Sequence, residues 1–382
     1  MRIAIFSEVY WPMVSGVSLV LQRLVGALQQ RGHLVRVYAP SYALPHDAGD
    51  RDHVFRVPSR RLFLYPDVQW GFPEREAIRA DFAAFRPDVV HVATEFAMGV
   101  TGVSLAAEFE VPVIASAHTD YERYSSRYRL DWLMPAGWRY LRWFYGHAAR
   151  VLVPSRPYER HLHRRGVRHT AIWSRGVDSA MFSPTHRSEA TRAALAIAPD
   201  QLMVLCVGRL AAEKNIPLLL DAWQRLGDRV ADARLVLVGT GPLEAELRMR
   251  VPAGVILTGV RTGAELSATY ASADLFAFPS STETFGNVLL EAMAAGLPSL
   301  AVGAGGVLDF AEHEVNAWLV EPDSAGSLAD GLARLLEDPA LRARLAKGGV
   351  ATAAARDWRS IFTGVIAEYE RALTLARLDR AA

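Results

Sequence analysis

Short apolar runs alternate along this chain with longer stretches of helical periodicity. In the first half, residues 2–10, 33–39, 54–57, 88–94, 112–117 and 150–154 are apolar enough on both faces to predict buried strands. Residues 17–30, 74–85 and 98–109 between them repeat their apolar positions at helical spacing and predict helices. The alternation restarts at residues 202–207 and continues with strands predicted at 234–239, 255–258, 275–278 and 299–302. Strands that alternate with helices predict parallel sheets covered on both faces, so the expected class is α/β. The restart predicts two domains, residues 1–175 and 176–356, with a helical tail over 357–382 expected to cross back onto the first.

The loops at the predicted strands' carboxyl ends carry the chemistry, as ligands in open α/β sheets gather there. After the 275–278 strand, Ser280-Ser281-Thr282-Glu283-Thr284-Phe285-Gly286 leads into a helix with apolar Val288, Leu289, Ala292, Met293 and Ala295. Gly296 and Pro298 close that helix. A free helix N-terminus presents unpaired N–H groups to an anion such as phosphate. Glu283 in the loop and Glu291 in the helix flank it, each able to accept hydroxyl hydrogens. Ribose hydroxyls at one end and sugar hydroxyls at the other would suit that arrangement. Either glutamate alone also reads as a solvated surface residue. Glu291, however, lies in a helix apolar on several sides, where an unpaired carboxylate is costly.

Other strand ends repeat the theme. Arg209 and Lys214, in the loop after residues 202–207, place two cations where they would neutralise a diphosphate. Lys214 is one of only two lysines among 42 basic residues, a modest hint of a need for compact charge. Gly16 immediately precedes the 17–30 helix and lets backbone N–H groups approach a phosphate, although a strand–helix turn favours glycine on steric grounds alone. His118 ends the 112–117 strand and reads either as a ligand contact or as a histidine satisfied by a backbone carbonyl. Asp120 suits an acceptor contact or a helix cap.

Composition adds limits. With 51% hydrophobic and 22% charged residues and no apolar run of spanning length, the chain reads as an ordinary cytoplasmic globular protein. Its first strand carries charge too early for a signal peptide. The single cysteine, Cys206, excludes an internal disulfide and a cysteine-based zinc site. The net charge of +1 hides an asymmetry: residues 1–175 hold 23 arginines, no lysine and 16 acidic residues, and the remainder holds 19 basic and 25 acidic residues. In residues 121–150, Tyr121, Tyr124, Tyr128, Trp132, Trp138, Tyr140, Trp143, Phe144 and Tyr145 interleave with Arg123, Arg127, Arg129, Arg139, Arg142 and Arg150. That mixture suits peripheral contact with an anionic membrane. It equally suits a helix with a packed aromatic face and a solvated arginine face. No nucleic-acid motif accompanies it, so no nucleic-acid partner is expected. The 60–70 loop, with Arg60, Arg61, Tyr65 and Pro66, is a second candidate for acceptor contact.

The pattern Ser-Thr-Glu-Thr-Phe-Gly-Asn-Val-x-Leu-Glu-Ala-x-Ala-x-Gly-x-Pro over residues 281–298 resembles the signature of glycosyltransferase family 4. The Arg209-x4-Lys214 pair, His118, and Arg175-Gly176-Val177-Asp178 with Phe182 extend the resemblance over nearly the full length. Ser15-Gly16 and Asn316-Ala317 depart from the family's usual Gly-Gly and Asn-Gly. The resemblance implies a retaining enzyme of the GT-B fold, with two Rossmann-like domains facing each other across a cleft. It implies that Glu291 holds the donor ribose, Arg209 and Lys214 the diphosphate, and Glu283 the transferred sugar's hydroxyls. Phe285 and Gly286 would supply backbone donors, Arg261 would lie by the nucleobase, and His118 and Gly16 would complete the site. Front-face attack, with the leaving phosphate taking the acceptor's proton, needs no enzyme nucleophile. No cofactor and no essential metal are expected, the nucleotide-sugar being a substrate. The wording is most similar to bacterial enzymes that move mannose from GDP-mannose to lipid or glycan acceptors. A UDP-glucose or UDP-sulfoquinovose enzyme is the alternative, and a sugar-nucleotide 2-epimerase the alternative of another class.

Overall fold

The structure, a computed structural model of the 382-residue chain, describes residues 1–13, 15–42, 52–62, 65–127 and 129–381. They form two compact units. The first comprises Met1–Thr119, Trp132–Ser174 and Arg359–Ala382, and the second Asp120–Asp131 and Arg175–Trp358.

The first unit is built on β1 (Arg2–Phe6), β2 (Leu34–Pro40), β3 (Val54–Val57), β4 (Ser59–Leu62), β5 (Tyr65–Gly71), β6 (Val89–Val92), β7 (Val113–Ser116), β8 (Arg150–Val153) and β9 (Thr170–Ile172). Seven of these make one parallel sheet in the order β3-β2-β1-β6-β7-β8-β9. The second unit holds β10 (Leu202–Val207), β11 (Ala233–Val238), β12 (Val255–Gly259), β13 (Leu275–Phe278), β14 (Ser299–Val302) and β15 (Trp318–Val320), ordered β12-β11-β10-β13-β14-β15 and again parallel. Each sheet runs outward from its first strand in one direction and then in the other. Both units are therefore Rossmann-like, with the switch in strand order between β1 and β6 and between β10 and β13. The central strands are buried along their length, as the unbroken apolar runs require.

The structure corrects three sequence expectations. Residues 60–70 are not a loop: β4 and β5 pair as an antiparallel hairpin, with Arg60 opposite Trp70. The side chains of Arg61, Tyr65 and Pro66 lie outside the described residues. Two three-residue strands, β9 and β15, close the far edges of the sheets, too short to leave a periodic signal. Residues 120–131 pack with the second unit although the chain around them belongs to the first. The reason is local: Asp120 accepts the Arg123 N–H at 3.2 Å and caps the Tyr121–Arg127 helix, whose Arg123 guanidinium donates to the Ser281 carbonyl.

The aromatic–basic stretch divides between its two readings. Along the Met134–Tyr145 helix, Trp138, Leu141, Phe144 and Tyr145 are buried, and Arg139, Tyr140, Arg142 and Trp143 are exposed. Trp132, just before it, is 73% exposed. Tyr128 lies outside the described residues, as do the side chains of Tyr124 and Arg127. The C-terminal helix Trp358–Ala381 packs in the first unit, with Arg31 bonding the Arg359 carbonyl at 2.9 Å and Thr363 Oγ1 at 3.0 Å. No described helix is long and apolar enough to cross a membrane.

Candidate functional site

In the second unit, the loops after β10 and β13 leave neighbouring strands at the switch point and are stitched together. The Glu213 carbonyl accepts hydrogens from Ser280 Oγ at 3.1 Å and Thr282 Oγ1 at 3.0 Å. Lys214 Nζ donates to Glu283 Oε1, which also accepts from Ser280 Oγ at 3.1 Å. Sequence spacing put Lys214 and Glu283 in separate loops, and the fold brings them into direct contact. Arg209 begins the same loop, whose backbone presses on the next one: a Cβ on Gly239 would lie 1.9 Å from the Gly208 carbonyl oxygen. Lys214 and the first carboxylate thus meet in one corner, and Arg209 lies in the loop that supplies Lys214.

The second carboxylate is held from below. Tyr270, fully buried, donates its hydroxyl to Glu291 Oε2 at 3.0 Å. Burial first, and then the Glu291 charge, push the Tyr270 phenol well above its ordinary pKa, so it stays a donor. This explains how a glutamate sits in an apolar helix, and sequence reasoning had no signal for its partner. Arg261 is committed to the neighbouring turn, donating to Thr269 Oγ1 at 2.9 Å and lying 3.4 Å from Glu265 Oε1. Both partners lie on the Gly263–Ser272 helix, which also carries Tyr270.

Gly286 is the N-cap of the Asn287–Ala294 helix and adopts φ +101°. A Cβ there would meet Val307 Cγ1 at 2.8 Å, so the position calls for glycine on two counts. The Phe285 ring is buried and stacks on Phe310 at 4.9 Å, so a ligand would meet only its backbone. The Gly306 N–H donates to the Glu283 carbonyl at 2.7 Å and holds the Glu283 loop from the β14 side. Arg123 joins from the other flank through the Ser281 carbonyl. The sequence placed Arg123 in the aromatic–basic stretch, with nothing to separate it from the neighbouring arginines.

The first unit offers its own strand ends. Gly16 starts the Gly16–Gln30 helix and is exposed at its N-terminus. Ser15, where the family's first glycine would stand, is the N-cap: it accepts the Ser18 N–H at 3.2 Å, and Ser18 Oγ accepts the Ser15 N–H at 3.0 Å. His118, two residues beyond β7, lies edge-on to Trp173 at 5.3 Å, with Nε2 2.9 Å from Ser116 Oγ. A side-chain hydroxyl therefore stands against its Nε2.

Among the described residues, no three His, Cys, Asp or Glu side chains stand together as metal ligands. The expectation of no essential metal rests on the lack of an Asp-x-Asp pair, and there the sequence corrects it: the chain contains one such triplet, Asp50-Arg51-Asp52, whose first two residues lie outside the described set.

Comparison with known proteins gives two family matches. Residues 14–180 match the model described as Glycosyltransferase Family 4, and residues 187–351 the model described as Glycosyl transferases group 1. A GDP-mannose-dependent alpha-mannosyltransferase of Mycobacterium tuberculosis is 34% identical over 377 residues, covering 97% of this chain and 96% of that protein. A sulfoquinovosyl transferase of Arabidopsis thaliana is 31% identical over 376 residues, covering 95% of this chain and 72% of that one. Among solved structures, a sucrose-phosphate synthase from Thermosynechococcus elongatus superposes with a TM-score of 0.81 at 23% identity, covering 98% of this chain and 99% of that chain. At that identity the likeness concerns the fold, which is GT-B.

Proposed function

The chain belongs to glycosyltransferase family 4, and from that premise we propose that this glycosyltransferase moves mannose from GDP-mannose, with retention, to a hydroxyl of a lipid or glycolipid acceptor. The observation that carries the donor class is the corner where Lys214 meets Glu283, with Glu291 held by Tyr270 on the adjoining helix. One carboxylate suits the ribose hydroxyls and the other the sugar hydroxyls, with cations and a helix N-terminus between them for the diphosphate.

In this reading, a diphosphate arriving beside Lys214 competes with Glu283 for the ammonium. Each partner is then released to its own ligand, Lys214 to the phosphate and Glu283 to the sugar. Arg209 and Lys214 stabilise the charge that grows on the leaving diphosphate as the glycosidic bond breaks. The leaving oxygen takes the acceptor's proton, so rate comes from positioning and leaving-group stabilisation. No metal is called for. His118 and Gly16 keep the roles that the resemblance implies, at the transferred sugar and the diphosphate.

The 34% identity to a GDP-mannose enzyme supports the choice of sugar. The 31% identity to a sulfoquinovosyl transferase supports the second reading, a UDP-linked donor. The exposed Arg139, Tyr140, Arg142 and Trp143 support a lipid-borne acceptor. Thermal stabilisation by a panel of nucleotides and sugar-nucleotides tests the donor, because a ligand that binds only the folded state raises Tm. A rise with GDP and GDP-mannose is expected. A rise with UDP compounds alone moves the assignment to the second reading, and no rise with any removes the donor site.

A further inference from the structure

His91 of β6 has no part in the donor chemistry, yet both of its ring nitrogens are engaged in the interior of the first unit. Nδ1 lies 2.7 Å from the Tyr369 hydroxyl on the C-terminal helix, and Nε2 lies 2.9 Å from Ser116 Oγ at the end of β7. Ser116 Oγ is in turn 2.9 Å from His118 Nε2. Trp173 walls the row, its ring 5.6 Å from that of His91 and 5.3 Å from that of His118. His91, Tyr369 and Trp173 are buried, and so is Ser116.

Hydrogen counting gives the row a direction. A buried phenol has one hydrogen and must place it. Among the described residues, His91 Nδ1 is the hydrogen-bond partner of the Tyr369 hydroxyl, so the phenol donates to it. Burial holds His91 neutral, its pKa pushed down to about 3. Its single N–H is then on Nε2 and donates to Ser116 Oγ. That leaves the serine hydrogen for His118 Nε2, and every donor in the row is used once.

We infer that Tyr369, acting through His91 and Ser116, makes His118 Nε2 a hydrogen-bond acceptor and holds that ring in its Nδ1–H tautomer. Tyr369, His91 and Ser116 are thus positioning residues for His118. The consequence for transfer rests on the reading of His118 as the residue at the transferred sugar. A neutral ring of fixed tautomer can donate to a sugar hydroxyl without adding positive charge beside an anomeric carbon that is itself becoming positive.

The test uses the full chain labelled with 15N-histidine. Long-range proton–nitrogen correlation reports the tautomer of each ring, and His118→Gln assigns the His118 signals. The wild type should show His118 as the Nδ1–H form. Tyr369→Phe and Ser116→Ala should convert it to a mixture or to the Nε2–H form, with turnover falling several-fold at an unchanged donor KM. An Nε2–H form in the wild type, or a tautomer unmoved by both variants, overturns the inference. A tautomer that moves while turnover holds upholds the row and overturns the assignment of His118 to the reaction. Should Tyr369→Phe fail to fold, the wild-type and Ser116→Ala spectra still decide.

Discussion

Glu283 and Glu291 look alike in the sequence and differ in what holds them. Glu283 is paired with a cation and Glu291 with a buried phenol. Replacing Glu291 with alanine should therefore remove hydrogen bonds to the nucleotide, worth about 1.5–3 kcal/mol for a charged acceptor, and weaken GDP binding ~10- to 100-fold by calorimetry. Glu283→Gln removes the competitor for the Lys214 ammonium, so it should leave GDP binding no weaker than in the wild type and still lower turnover; unchanged turnover would remove Glu283 from the sugar. His91 supplies a pH prediction. Unfolded, its pKa is near 6.5, and folded, burial lowers it to about 3. As pH falls from 6.5 toward 3, the unfolded chain binds a proton that the folded one refuses. Stability present above 6.5 is thus lost by about 1.4 kcal/mol per pH unit. His91→Gln should show a shallower loss of Tm over that window, and parallel curves would count against the neutral buried ring. The residues at strand ends were legible because the sheet's switch point collects ligands there. Their supports, Tyr270 and Ser116, were not, because an isolated tyrosine or serine reads the same in any helix or strand.

At the scale of elements, Gly286 shows how a loop is set. Alanine at φ +101° costs about 1–2 kcal/mol for the left-handed backbone, and its methyl would also meet Val307. Gly286→Ala should lower the denaturation midpoint accordingly and weaken GDP binding through the displaced helix N-terminus. Unchanged affinity would place the nucleotide away from that terminus. Strands β1, β10, β13 and β14 were readable as apolar runs because they are buried on both faces. The β4–β5 hairpin was hidden by its arginines and Pro66, and the Tyr121–Arg127 helix announced no allegiance to the second unit. What binds it there is a guanidinium on a backbone carbonyl, a contact with no sequence period.

For the molecule as a whole, the restart of the pattern at residue 202 revealed two Rossmann-like units, but not that the chain lends residues 120–131 from one to the other. A cut at residue 175 would consequently strip Arg123 from the unit it serves. The exposed face of Arg139, Tyr140, Arg142 and Trp143 predicts salt-sensitive binding to anionic liposomes, at about 1 kcal/mol per arginine. Replacing Arg139 and Arg142 together with alanine should weaken sedimentation with such vesicles by roughly 30-fold. Equal binding by the variant would leave that face merely solvated. The pairing of Lys214 with Glu283 has a further use, because the chain carries only one other lysine, Lys347, which is exposed. A nucleotide whose ribose has been opened to a dialdehyde would find few amines to couple with, and only one of them beside the proposed diphosphate. Mapping covalent adducts to Lys214 by peptide mass spectrometry, against Lys347 and the N-terminal amine as references, would then read the occupancy of that corner without turnover and without knowledge of the acceptor.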